Sequence, residues 1–207
     1  ASNVAEMCRL HNIPLVHIST DHVFSGNGFG SNSEDFLYTE DMSPDPLPNN
    51  HYGHSKYLGE LGVQENSPNK YLILRLSNIY GHNQCVGKPN ANIVETFIQK
   101  AKVGMDALAN CYGTPTFTLS VARQILHLLK NIHSTPSGIY HVAANTSTSW
   151  YLFGSLIRHY YWQIYGEVLT VNPLVTDDFK THRKFSGLDC GKLKKLGLYI
   201  MPSVEED

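Results

Sequence analysis

Tyr52 and Lys56 stand four residues apart in HYGHSKYLGE, His51 to Glu60. On an α-helix that spacing puts both side chains on one face, so they reach the same spot. A free phenol ionises at about pH 10, and a cation one helical turn away favours the phenolate. A hydroxyl at a neighbouring strand end can hold a substrate oxygen beside the phenol, and ISTDHVF supplies Ser19 and Thr20. Together these groups form an acid/base centre for reducing a carbonyl or oxidising an alcohol. The YxxxK spacing alone is common. Its weight here comes from the order of a strand ending in Ser-Thr, a polar loop, the helix and a second apolar strand.

The elements that must position these residues follow from the hydrophobic pattern. SNVAEMCRLHNIP carries Val4, Met7, Cys8 and Leu10 at helical spacing, with Ser2 or Asn3 as cap and Pro14 as the stop. PLVHIST reads as a short buried strand, and the polar run after it as a functional or disordered loop. A helix is expected from about Tyr52 to Gln64, and a strand in KYLILRLSNIYG with Leu72, Ile73, Leu74 and Leu76 nearly continuous. Alternating helix and strand predict right-handed crossovers and a parallel sheet, with ligands at the carboxyl ends of the strands. Those ends are STDHVF and SNIYG.

Beyond Gly81 the pattern predicts a helix in NIVETFIQKAK, then a turn and a capped helix in CYGTPTFTLSVARQILHLLKNI. A strand in SGIYHVA, an aromatic-rich helix, a strand in VLTVNPL and a last helix starting near Asp189 complete the chain. Trp150, Tyr151, Phe153, Tyr160, Tyr161 and Trp162 recur at helical spacing and are expected mainly in a core rather than as a sugar platform.

Composition narrows the function classes. The chain has 207 residues, 42% of them hydrophobic, with a net charge of −2 and a pI of about 6.6. That length suits one large domain or one and a half, and nothing in the charge calls for nucleic acid. No apolar run reaches the length of a membrane span and the first residues do not read as a signal peptide, so a cytoplasmic protein is expected. Cys8, Cys85, Cys111 and Cys190 are scattered and read as free thiols, with Asn145-Thr-Ser a chance sequon. The eleven histidines include no HExxH or comparable set, so no metal site is expected.

The chain resembles the extended short-chain dehydrogenase/reductases, and within them the dTDP-4-dehydrorhamnose reductase family. The matching segments, in the family's order, are VHISTDHVFSG, YTEDMSPDPLPNNHYGHSKYLGE, LILRLSNIYG, CYGTPT, GIYHVAANTSTSW and FSGLDCGKLKKLG. The resemblance implies an α/β fold: a Rossmann-type parallel sheet, here lacking its first βαβ units, with a smaller C-terminal α/β substrate domain. Residues 1–82 would be the later part of the dinucleotide-binding domain. Residues 83–207 would be mainly the substrate domain, with some elements returning to the sheet.

It further implies NADPH or NADH as cofactor and reduction of the C4 ketone of a nucleotide-linked 4-keto-6-deoxy sugar. Tyr52 would give a proton to the C4 oxygen, while Lys56 would favour the phenolate and hold the nicotinamide ribose. Thr20 would bond the substrate carbonyl, with Ser19 and Ser77 near the cofactor and Asp21 and Asn78 facing the sugar. A homodimer is compatible with this reading. Two further readings are a non-catalytic subunit resembling the regulatory β subunit of methionine adenosyltransferase, which binds a partner enzyme, and a nucleotide-sugar epimerase or dehydratase.

The chain departs from the family at several places. His22 replaces the tyrosine of STDYVF, Asn78 stands where a sugar-packing tryptophan is usual, and His182 and Arg183 replace an arginine-proline pair. The loop from Gly26 to Tyr38 is also longer than expected. These changes leave the acid/base pair intact and the sugar open. No glycine-rich phosphate-binding turn opens the sequence, which reads as a fragment or a truncated gene product. GNGFG, Gly26 to Gly30, is a decoy, because the fingerprint requires a strand before it and a helix behind it.

Overall fold

Helix α1 (Ser2–Leu10) leads into strand β1 (Leu15–Thr20), and α2 (His51–Asn66) into β2 (Tyr71–Leu76). The chain continues through β3 (Ile79–Tyr80), α3 (Ile93–Ala101), β4 (Met105–Leu108), β5 (Tyr112–Gly113), β6 (Thr116–Phe117) and α4 (Thr118–Lys130). It closes with β7 (Gly138–Val142), β8 (Thr148–Ser149), α5 (Trp150–Tyr165), β9 (Val171–Leu174) and α6 (Gly191–Lys195). This computed structural model describes residues 1–31, 33–47, 50–66, 68–81, 92–179 and 182–206. Cys85 and the expected boundary between residues 82 and 83 lie outside the described residues.

The main sheet is parallel, in the order β1-β2-β7. Leu72, Leu74, Leu76, Tyr140 and Val142 form a core with Val121 and Leu128 of α4 and Leu193 of α6. On the other face Ile73 packs with Ala5 of α1 and Val63 of α2. Helices therefore cover both faces, which is why β2 reads as a continuous apolar run instead of an alternating one. A second parallel pair, β4 with β9, is covered by α3 and α5, with Ala101, Ala107, Leu169 and Val171 at its centre.

One charge interrupts the apolar run. Arg75 is 1% exposed, and Glu60 of α2, fully buried, meets it with two parallel bonds: Nε to Oε1 at 2.9 Å and Nη2 to Oε2 at 2.7 Å. The row continues across the sheet, since Ser19 of β1 and His141 of β7 are the register partners of Arg75. Burial, helped by the Arg75 guanidinium, pushes the pKa of His141 down from 6.5 to about 3. Its ring is therefore neutral at pH 7, and its Nδ1 donates to the Asp189 carbonyl at 3.0 Å.

The long connection between β1 and α2 is held down at several of its described residues. Phe24 stacks on Tyr38 at 4.2 Å, Tyr38 bridges to Leu188, and the Ser25 hydroxyl donates to Asp45 at 2.7 Å. Within it Gly28–Gly30 forms a 3-10 turn, started by the Asn27 side chain, rather than opening an α-helix.

Helical spacing and burial part company at two places. Helix α1 forms, but Val4, Met7 and Leu10 are each more than half exposed and only Ala5 is buried. Of the aromatic cluster, only Phe153 is fully buried, while Tyr160 and Trp162 are exposed. Helical spacing identified the stripes; whether a neighbour covers a stripe depends on the assembled fold. Among the described residues no helix is long and apolar enough to cross a membrane, and Cys8, Cys111 and Cys190 are free.

The depressed His141 sets a pH dependence. A histidine whose folded pKa lies below its unfolded value binds its proton in the unfolded chain first, so stability falls as pH drops from about 6.5 towards 3. The slope approaches ~1.4 kcal/mol per pH unit. Urea unfolding at pH 7 and pH 5 is expected to show wild type losing about 2 kcal/mol more over that interval than His141→Gln. Equal losses in the two proteins would mean that His141 is not the group responsible.

Candidate active site

A cleft of about 480 Å³ opens at the carboxyl ends of β1 and β2, lined by Ser19, Thr20, Asp21, Tyr52, Lys56 and Asn78 among others. A second hollow of about 210 Å³ shares His22 and Asn78 with it and adds Trp150, His182 and Arg183. The spacing of sequence motifs thus brings six of the seven expected site residues to one cavity. The seventh, Ser77, is fully buried, donates its hydroxyl to the Ser186 carbonyl at 3.0 Å, and does not line the cleft.

Helix α2 is seated by its first turn. The Asn50 side-chain oxygen accepts from the Gly53 N–H at 2.9 Å, and its amide nitrogen donates to the His22 carbonyl at 3.3 Å. A Cβ at Gly53 would collide with that same His22 carbonyl, so glycine lets the helix rest directly on the Asp21–Val23 turn. This contact explains the glycine that follows Tyr52. One turn further, the Lys56 ammonium donates to the Ile18 carbonyl at 2.7 Å, which fixes it at the open edge of β1. Tyr52 is 54% exposed, with its ring edge-on to His22 at 5.6 Å.

The hydroxyls are each backed by an acid, and each acid by an arginine. Ser19 Oγ donates to Glu60 Oε1 beside the Arg75 pair. Thr20 Oγ1 donates to Asp21 Oδ1 at 3.1 Å, and Arg183 Nη1 donates to Asp21 Oδ2 at 2.8 Å. Asp21 therefore lines the cleft with its charge already matched. Asn78 adopts φ +43°, a left-handed conformation that asparagine tolerates, and its amide donates to Ser77 at 2.9 Å and Ser186 at 3.1 Å.

His22 has a defined state. Because Asn50 Oδ1 is taken by Gly53, the amide nitrogen faces His22 Nδ1 at 3.4 Å, which makes Nδ1 the acceptor and leaves the proton on Nε2. Burial holds its pKa below the ordinary histidine value, with Arg183 adding to this and Asp21 opposing it. The arrangement offers an exposed phenol, an ammonium with donors to spare and hydroxyls at a strand end, all in one cleft. Such a set can hold an oxygen and deliver a proton to it.

Sequence pattern alone does not single out Asn50, Glu60, Arg75 or Trp150 as residues of the site. Two of them did leave a trace: Arg75 breaks the apolar run LILRLS, and Glu60 continues the Tyr52–Lys56 face by one more turn. Arg183 departs from the family pattern, and nothing local marks it as the partner of Asp21, which lies 162 residues away.

Comparison with known proteins places this geometry among relatives. The model of the RmlD substrate binding domain matches residues 1–207. The spore coat polysaccharide biosynthesis protein SpsK of Bacillus subtilis is 36% identical over 145 residues, which cover 69% of this chain and 44% of that protein. The dTDP-4-dehydrorhamnose reductase of Salmonella typhimurium is 33% identical over 147 residues, again 69% of this chain and 44% of that protein. The chain thus matches less than half the length of these two relatives. A crystal structure of dTDP-4-dehydrorhamnose reductase from Bacillus anthracis, in complex with NADP, superposes with a TM-score of 0.77 at 34% identity, covering 99% of this chain and 67% of that one.

The seat of α2 can be tested directly. Gly53→Ala should cost about 1–3 kcal/mol of stability in urea unfolding, despite the better helix propensity of alanine, because the added methyl meets backbone. A neutral or stabilising result would show that α2 does not rest on the His22 carbonyl.

Proposed function

The chain belongs to the RmlD substrate binding domain family, and on that premise we propose that its cleft serves the NAD(P)H-dependent reduction of the C4 ketone of a nucleotide-linked 4-keto-6-deoxy sugar. The observation that carries this reading is the seating of Tyr52 and Lys56, one helical turn apart, on a cleft at the carboxyl ends of two parallel strands. That is where an open α/β sheet binds its ligands.

Tyr52 donates its phenolic proton to the C4 oxygen. Lys56 keeps one donor on the Ile18 carbonyl and has two left for a ribose hydroxyl and for the electrostatic support of the phenolate. Thr20, whose bond to Asp21 is long, can turn its hydroxyl to the substrate oxygen. The donor set fits a nicotinamide cofactor, which when bound supplies the hydride that C4 receives. With that hydride on carbon and the Tyr52 proton on oxygen, the ketone would become an alcohol. In this reading residues 1–82 carry the nicotinamide side of the site and residues 83–207 most of the sugar side. The second hollow, with Trp150 and His22, supports placing the sugar there.

The test is loss of NADPH absorbance in the presence of a dTDP-4-keto-6-deoxyhexose. Turnover is expected, and Tyr52→Phe should lower kcat by about 10²- to 10⁴-fold, the range of a general acid. A Tyr52→Phe protein as active as wild type, or no turnover by the full-length wild-type protein, would overturn the reading.

A further inference from the structure

Ser19 and Thr20 are neighbours at one strand end, yet their hydroxyls are held very differently. Thr20 donates to Asp21 at 3.1 Å and accepts from the His22 N–H at 3.3 Å, both long bonds. Asp21 is in turn held by Arg183, which is partly exposed. Ser19 donates to Glu60, a fully buried residue whose two oxygens already take both Arg75 bonds. A carboxylate clasped by a guanidinium only accepts, so the Ser19 hydrogen must point at it. Among the described residues nothing else bonds to Ser19 Oγ, and Ser19 is one of the residues that line the cleft.

We propose that Glu60 and Arg75 are positioning residues that lock Ser19 as an acceptor-only group on the cleft floor, so that it reads an O–H or N–H donor of the ligand bound against Tyr52 and Lys56. Thr20 is the exchangeable hydroxyl, and Ser19 is the fixed one. The same pair also sets the height of α2, because Glu60 lies on the helical face that carries Lys56 and Tyr52. The ligand part of this inference rests on the reductase reading; the state of the Ser19 hydroxyl does not.

Glu60→Gln separates the two roles. Arg75 bonds both Glu60 oxygens and Ser19 shares Oε1 with Arg75 Nε, so either placement of the amide sets an NH₂ against one of these donors and weakens the acceptor that orients the Ser19 hydrogen. The variant keeps the side-chain shape and removes the charge that fixes the Ser19 hydrogen. With kcat and KM for NADPH and sugar measured in four proteins, Glu60→Gln is expected to lower kcat/KM about tenfold or more, and Ser19→Ala less. In the Ser19→Ala background, Glu60→Gln should add almost nothing, the mark of action through that hydroxyl. An equal loss in both backgrounds would assign Glu60 to the fold alone and overturn the inference.

If Glu60→Gln does not fold, Arg75→Lys, which keeps the charge but not the paired bonds, should show the same dependence on Ser19. If the full-length wild-type protein shows no turnover, the reductase reading fails, and proton NMR of this chain decides the inference by itself. A downfield hydroxyl resonance should be present in wild type, absent in Ser19→Ala and displaced in Glu60→Gln. Its absence from wild type, or an unchanged position in Glu60→Gln, would overturn the lock.

Discussion

Arg75 lies next to the carboxyl end of the central strand, and its charge has no water to face. Burying an ion costs several kcal/mol, offset only when a partner meets it with good geometry and the remaining groups are bonded. Glu60 meets it with two parallel bonds, while Arg75 Nη1 has no partner among the described residues, and the requirement has consequences along the chain. Helix α2 can sit over the sheet only where Glu60 reaches Arg75. That placement carries Lys56 to the Ile18 carbonyl one turn earlier and Tyr52 to the rim another turn before. A contact deep in the fold thereby sets the position of two groups at its surface.

The site repeats one construction at two depths: hydroxyl, acid, arginine. Ser19, Glu60 and Arg75 are buried throughout, whereas in Thr20, Asp21 and Arg183 the arginine reaches the second hollow. Depth decides what each set can do. In a low-dielectric interior a charge-assisted bond resists exchange, while near solvent a long bond can change partners as a ligand arrives. His22 adds a third prepared group, since Asn50 holds its ring nitrogen in one protonation pattern while also capping α2. Positioning and chemistry share the same residues here, so the helix start and the cleft wall cannot vary independently.

The parallel sheet was readable because the apolar runs, the turn residues and the Tyr-Lys spacing all express local geometry. So was the cavity as a location, since strand ends in such sheets face a crevice. The surface was less readable. Val4, Met7 and Leu10 form a helical stripe in the sequence and yet stand exposed, and the aromatic run of α5 buries Phe153 while leaving Trp162 outside. Periodicity reports which residues share a face, and the fold as a whole decides what covers that face.

By itself, then, the sequence determined the order of strand, loop, helix and strand, and the presence of Tyr52 and Lys56 on one helical face. These follow from backbone periodicity over a few residues. Only the tertiary structure decided that Glu60 belongs to Arg75, Asp21 to Arg183 and Asn50 to His22, pairs separated by 15, 162 and 28 residues. No local rule selects such partners. They are chosen when the assembled core removes water and each polar group left inside must find the nearest complement.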